Sequence, residues 1–352
     1  MDISRFVVYG ATGNHTFDQR VLDLFNQAQR TSLGFSHIHH STFSDGESGF
    51  KLSRPEKVAG KHVVVFACPF NAKLYIQFQD IVMACRHQYE ADTVTVVLSF
   101  LPRRRQDHKE KKKEITRLRW FIKCMKFWGV DRLVVCEPHN VENTQAFCDE
   151  TGIQLYVADP TKLFAEAING LIQTLGRNDS VVFSPDFGSV GRAICLAKEI
   201  RVPIIASPKR RVSNRVEMVQ DDEFLSRVRE RYGDEISVSS SLKDVAGKHV
   251  WVREDEVASG STSRTTAMKV REAGAESVRL LVTHPVCTWG WKLVLFPDEE
   301  SHPFDGVWFG NTRPRGVNES EYEGSTGGDV ITVDMAPILA ETLIRVVEDL
   351  PS

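Results

Sequence analysis

The sequence predicts two doubly wound α/β domains, each a mostly parallel sheet flanked by helices. Three observations carry this. Short β-branched runs alternate with longer helix-patterned stretches, the signature of βαβ units. The alternation occurs twice, from residue 6 to about 156 and again from about 180 to 282. At 352 residues the chain is long enough for two well-formed cores, given roughly 100–200 residues per domain.

Strands are expected at residues 6–9, 62–66, 93–98, 132–135, 180–183, 203–206, 249–252 and 277–282. Between them, apolar residues recur at helical spacing over 17–28, 75–87, 117–128, 163–175, 191–199 and 265–273. Asp159-Pro160-Thr161 reads as a turn into a helix and sets a border. The expected division is therefore 1–158 for the first domain, 159–335 for the second and 336–352 for a closing apolar helix. Residues 287–330 break the rhythm; rich in Trp, Gly, Pro and acidic residues, they are expected to form a loop-rich insertion.

Composition excludes several classes. Hydrophobic residues make up 41% and charged residues 26%, ordinary values that rule out collagen-like, mucin-like and disordered chains. Lys and Arg number 44 against 47 Asp and Glu, so nucleic acid is not an expected partner. No run approaches the roughly 18–20 apolar residues of a membrane span, so no membrane is expected either. Met1-Asp2-Ile3-Ser4-Arg5 lacks the basic and apolar regions of a secretory signal. The seven cysteines are scattered without a C-x-x-C pair, which predicts free thiols in a reducing, cytoplasmic setting and no zinc site.

Four segments carry chemistry. Gly10-Ala11-Thr12-Gly13 follows a strand, but Thr16 stands where a dinucleotide fingerprint needs its third glycine. The next strand region, Gly34-Phe35-Ser36-His37, has no acid for a ribose, so the segment reads as a plain glycine-rich turn. The run from Arg103 to Lys113 follows the strand at 93–98. It suits either a solvated face or polyphosphate, because guanidinium groups bind phosphate oxygens in pairs. Ser184-Pro185-Asp186-Phe187-Gly188 ends a strand in a carboxylate placed for Mg²⁺ or a sugar hydroxyl, or else for a helix cap. Glu254-Asp255 could accept bonds from vicinal ribose hydroxyls, and Ser259-Gly260-Ser261-Thr262 offers N–H and hydroxyl donors to a phosphate at a helix start.

Taken together, these segments resemble the ribose-phosphate pyrophosphokinase (PRPP synthetase) family over nearly the whole chain. Phe43-Ser44-Asp45-Gly46-Glu47 is similar to its adenine-contacting signature, and Arg105-Gln106-Asp107 to its ATP-contacting Arg-Gln-Asp. Glu137-Pro138-His139 stands where the family has Asp-Leu-His, and Ser184-Pro185-Asp186 with Gly188 matches Ser-Pro-Asp-x-Gly. Lys209-Arg210-Arg211 resembles the catalytic flexible loop; Thr283-His284-Pro285 and the helix at 336–347 follow in the family's order.

The resemblance implies phosphoribosyltransferase-like domains and transfer of diphosphate from ATP to the anomeric hydroxyl of a 5-phosphoribosyl acceptor, with AMP leaving. It implies that Phe43, Asp45 and Glu47 hold adenine, across a subunit interface, so that a homo-oligomer built from dimers, up to a hexamer, is expected. Arg105, Gln106 and His139 would bind ATP, His139 and Asp186 would organise Mg²⁺, and Lys209 and Arg211 would be catalytic. Asp186, Glu254, Asp255, Ser259, Gly260, Ser261 and Thr262 would bind the acceptor.

Two departures bear on that acceptor. The family's loop reads Asp-Asp-x-x-Asp-Thr-x-Gly-Thr, whereas here the third acid is Ala258 and the loop glycine falls on Ser261. The segment after Thr283-His284 is long and carries Trp289, Trp291, Trp308 and Phe309. These are candidates for stacking on a base, or for a small core under a loop. Three readings follow. ADP-ribose is narrowly favoured as acceptor, as in the phage-borne branch of the family that rebuilds NAD. Ribose 5-phosphate is the conventional alternative. A non-catalytic regulatory subunit is the third.

Overall fold

The computed structural model describes residues 2–11, 13–108, 115–185, 187–206, 209–212, 215–218, 222–233, 238–297, 302–314 and 330–350. The chain divides into two compact units, Met1–Asp159 with Met335–Ser352, and Pro160–Asp334.

The first unit opens with β1 (Phe6–Ala11), α1 (His15–Gln29), β2 (Phe35–Ser36), β3 (Ile38–Thr42) and β4 (Ser48–Leu52). It continues with β5 (His62–Ala67), α2 (Ala72–Met83), β6 (Thr93–Leu98), α3 (Arg117–Trp128), β7 (Arg132–Cys136), α4 (Val141–Thr151) and β8 (Gln154–Ala158). Six strands form one parallel sheet in the order β2-β1-β5-β6-β7-β8. Every residue of β5 is buried, as expected of an interior strand covered on both faces. One face carries Val63, Val65, Val94 and Val96 against Phe78, Phe121 and Trp128 from α2 and α3. Strands β3 and β4 pair antiparallel as a separate hairpin.

The second unit contains α5 (Thr161–Leu175), β9 (Ser180–Ser184), α6 (Phe187–Ile200), β10 (Ile204–Ala206), β11 (Lys209–Val212), β12 (Arg215–Met218) and α7 (Asp222–Tyr232). It continues with β13 (Val238–Ser239), β14 (His249–Val257), α8 (Ser261–Glu272), β15 (Ser277–Pro285), α9 (Trp291–Leu295), β16 (Gly306–Gly310) and β17 (Val330–Val333). Seven strands form a parallel sheet ordered β13-β10-β9-β14-β15-β16-β17, while β11 and β12 pair antiparallel by themselves. The chain winds outward from β9 in one direction and restarts on its other side at β14. That reversal makes the carboxyl ends of β9 and β14 the topological switch point, where open α/β sheets bind ligands.

The last helix, α10 (Ala336–Glu348), belongs to the first unit. It packs on α1, β7 and β8, and Tyr156 Oη donates to Asp349 Oδ2 at 2.8 Å.

The two parallel α/β sheets agree with the expected class. Residues 287–330, expected to be loop-rich, contain α9 and the sheet strand β16, which pairs parallel with β15. Three of the four aromatics follow the small-core reading. Trp291, Trp308 and Phe309 are buried, with Trp308 5.6 Å from Trp251 and Trp291 5.6 Å from Phe309. Only Trp289 among them is exposed, at 84%.

Candidate active site

In the first unit, the chain leaves β6 through Phe100 and Leu101, both buried, and then turns. Arg103 adopts φ +61° and lies 5.1 Å over the Tyr75 ring. Arg104 is buried with its guanidinium 4.9 Å over Phe100. Two of the three adjacent arginines therefore pack on aromatic rings. Arg103, Arg105 and Gln106 are exposed. Gln106 is clamped in the turn: its N–H donates to Arg103 O at 3.0 Å, and its carbonyl accepts from Leu118 N at 3.1 Å. Residues 109–114 of the charge run lie outside the described residues. Burial pushes the Tyr75 phenol up, with the neighbouring Arg103 charge opposing it.

The loop after β7 is held by a backbone turn at Glu137, φ +30°, whose N–H donates to Ala158 O at 3.1 Å. His139 follows, half-buried, and Asn140 caps α4 by accepting from Asn143 N at 2.8 Å. Asn143 in turn donates through Nδ2 to buried Asp107 at 3.0 Å, and Asp107 contacts His108 Nδ1 at 2.6 Å. One side chain thus joins the Arg105-Gln106 turn to the helix that follows His139. Sequence reasoning missed Asn143; its signal is the cap pattern Asn140-x-x-Asn143 before a helix.

Phe43, Asp45 and Glu47 occupy the tip of the β3–β4 hairpin. Phe43 is exposed, Asp45 accepts from Glu47 N at 3.0 Å, and Phe43 N donates to Glu47 O at 2.8 Å. The Phe43 ring folds over Gly49, where a Cβ would lie 2.8 Å from Cε2, so a larger residue would displace the exposed ring.

In the second unit, Glu254 and Asp255 lie within β14, both largely buried. The ladder with β15 runs without a bulge from His249↔Ser277 to Val257↔Pro285, so successive side chains point to opposite faces. Asp255 sits 3.7 Å from Arg192 of α6, which links β14 to the helix after β9. Sequence reasoning did not single out Arg192, four residues past Gly188. Arg253, fully buried, donates to Glu254 O and, at 2.9 Å, to Thr283 Oγ1, while its guanidinium stacks 4.5 Å over Phe164. Thr312 Oγ1 donates to Thr283 O at 2.9 Å and lies 2.7 Å from His284 Nδ1. These bonds fasten the carboxyl ends of β14 and β15.

Ser259, Ser261 and Thr262 are exposed between β14 and α8. Gly260 has φ +82°, and a Cβ there would lie 2.7 Å from Leu295 Cδ2. Both conformation and close approach require glycine. Asp186 lies outside the described residues. Lys209 and Arg211 lie on β11, opposite Met218 and Val216 respectively.

Among the described residues, no three His, Cys, Asp or Glu are grouped to hold a metal ion. No helix among the described residues is long and apolar enough to cross a membrane.

A family model for the N-terminal domain of ribose phosphate pyrophosphokinase matches residues 8–129. The ribose-phosphate pyrophosphokinase of Mycoplasma pneumoniae is 25% identical over 287 residues, 81% of this chain and 76% of that protein. Ribose-phosphate pyrophosphokinase 1 of Streptococcus mutans is 27% identical over 289 residues, covering 81% and 80%. The crystal structure of phosphoribosylpyrophosphate synthetase from Mycobacterium smegmatis shares the fold, with a TM-score of 0.77 over 98% of this chain and all of that one, at 22% identity. Fold and relatives together define an enzyme of the diphosphotransferase class. More narrowly, the relatives that this chain resembles over 81% of its length are ribose-phosphate pyrophosphokinases.

Proposed function

We propose that this chain transfers the β,γ-diphosphoryl group of ATP to the anomeric C1 hydroxyl of a ribose-5-phosphoryl acceptor. The hydroxyl oxygen bonds to the β-phosphorus, the bond from that phosphorus to the α-phosphate oxygen breaks, AMP leaves and the hydroxyl proton is released. The observation that carries this reading is the placement of Glu254, Asp255 and the Ser259–Thr262 segment at the switch point of the second sheet, beside the β9 end that leads to Asp186.

In this reading, Glu254 and Asp255 hold ribose hydroxyls from the two sides of the strand end, with Arg192 and Arg253 fixing their positions. Ser259, Gly260, Ser261 and Thr262 receive the 5-phosphate through hydroxyl and N–H donors. Arg105 and Gln106 hold ATP phosphates; His139 in the first unit and Asp186 in the second are each proposed as Mg²⁺ ligands from the family resemblance. When bound, that ion would neutralise charge on the bridging phosphates. Lys209 and Arg211 stabilise charge on the transferred group, the dominant contribution in phosphoryl transfer. Phe43, Asp45 and Glu47, on a projecting hairpin, would serve the nucleotide of a neighbouring subunit in a homo-oligomer. Seven free thiols and no disulfide support a cytoplasmic setting.

Relatives named ribose-phosphate pyrophosphokinase make ribose 5-phosphate the first acceptor to test, and their names lend no support to ADP-ribose. Ala258, in place of the loop's third acid, favours ADP-ribose as a second reading. AMP release from Mg²⁺–ATP, measured with each acceptor in parallel and with products weighed by mass spectrometry, separates them. PRPP from ribose 5-phosphate identifies a conventional synthetase. Product only with ADP-ribose, heavier by one diphosphate, identifies the second reading. Silence with both removes the catalytic proposal and leaves a regulatory subunit.

A further inference from the structure

Asp107 follows Arg105 and Gln106 in the turn after β6, but it is only 3% exposed, between exposed Gln106 and exposed His108. Its carboxylate is therefore spent inside the protein. A buried carboxylate is tolerated where its oxygens are engaged. Oδ1 lies 2.6 Å from His108 Nδ1, and Oδ2 accepts from Asn143 Nδ2 at 3.0 Å. The His108 contact stays within the turn, whereas Asn143 comes from another element, 36 residues on. Asn143 is itself fixed. Its N–H donates to Asn140 Oδ1 at 2.8 Å, and buried Thr144 donates through Oγ1 to Asn140 O at 2.7 Å. The first turn of α4 is thus locked to Asn140, the residue after His139. On its other side the Arg105-Gln106 turn is anchored to α3, where Leu118 N donates to Gln106 O at 3.1 Å.

We propose that Asn143 is a positioning residue. Through Asp107 it sets the Arg105-Gln106 turn against the His139 loop, so that the two segments meet ATP as one rigid unit. This rests on the diphosphotransferase reading, and it specifies how the nucleotide side of that site is held.

The test uses Asn143→Ala, Asn143→Asp and the double variant Asp107→Asn with Asn143→Asp. The single Asp substitution sets two carboxylates face to face. The double variant swaps amide and carboxylate, so the bond survives with donor and acceptor reversed. In both single variants kcat/KM for ATP should fall about 10- to 100-fold while KM for ribose 5-phosphate is unchanged, because a small misplacement of positioned groups is costly. The double variant should recover most of the loss. Equal losses toward both substrates, or no recovery in the double variant, overturn the proposal. Amide exchange reads the link without turnover. The Gln106 and Leu118 N–H groups, bonded in this turn, should exchange about 10-fold or more faster in Asn143→Ala and regain protection in the double variant. Unchanged exchange overturns the proposal. If the wild type releases no AMP with ribose 5-phosphate or ADP-ribose, the diphosphotransferase reading fails, and the exchange result alone decides whether Asn143 positions the turn.

Discussion

Replacing Gly260 with alanine tests whether the β14–α8 loop has the geometry assigned to it. Two costs add. At φ +82° an ordinary L-residue is in left-handed backbone, which costs about 1–2 kcal/mol. The new Cβ would also lie 2.7 Å from Leu295 Cδ2 and 2.9 Å from Cγ, whereas carbon atoms prefer about 3.5–4.0 Å. Leu295 is fully buried and cannot swing into solvent. Overpacking of this kind costs about 1–3 kcal/mol. The sum is about 2–5 kcal/mol, at roughly 2–4 °C in midpoint per kcal/mol for a domain of this size. Calorimetry and urea unfolding of Gly260→Ala, Leu295→Ala and the double variant separate the terms. The double variant should be less destabilised than the two single losses added together, by the overpacking share. The acceptor KM should rise more than the ATP KM. Additive losses, or Gly260→Ala within about 0.5 kcal/mol of wild type, would refute the reasoning.

Further outcomes follow from the same geometry. Arg253→Met should lower stability by about 2–4 kcal/mol in denaturant unfolding, because Glu254 O and Thr283 Oγ1 lose their donors. Lys should not rescue it, since one ammonium cannot reproduce the guanidinium fork. Lys209→Ala should cut AMP formation by about 10³-fold or more while calorimetric nucleotide binding persists; sustained turnover would remove Lys209 from catalysis. Burial, with the Arg5 charge beside it, holds the His62 imidazole below its ordinary value. The neutral form is favoured on folding, so its contribution is complete above about pH 6.5 and lost as the pH falls toward the lower folded value. His62→Gln should flatten this acid-side decline in the stability of the first unit; an unaltered slope would exclude His62 as its source.

The central strands were legible because their composition leaves no alternative. Thr93–Leu98 is a run of Val, Thr and Leu buried on both faces, and its predicted bounds match the observed ones. Helix α4 was missed because Val-Glu-Asn-Thr-Gln-Ala-Phe-Cys-Asp-Glu-Thr buries only Thr144 and Cys148, so it shows almost no apolar stripe. Strand β16 was masked by Trp308, Phe309 and two glycines in a segment that reads as loop; pairing with β15 creates it. At the site, the segments of contact were visible as motifs. The residues that tie them, Asn143 to Asp107 and Arg192 to Asp255, join positions 36 and 63 residues apart. Such links depend on the sheet order, which no local pattern encodes.

The return of α10 to the first unit has a consequence for how the molecule is made. The polypeptide leaves that unit at Asp159 and rejoins it only at Met335, so the second unit is a guest inserted into an interrupted host. On a ribosome, synthesis usually lets the amino-terminal module finish first. Here the guest emerges complete while its host still lacks the helix that covers α1, β7 and β8. A stop codon near the end of the message would therefore injure the half of the protein that was translated first.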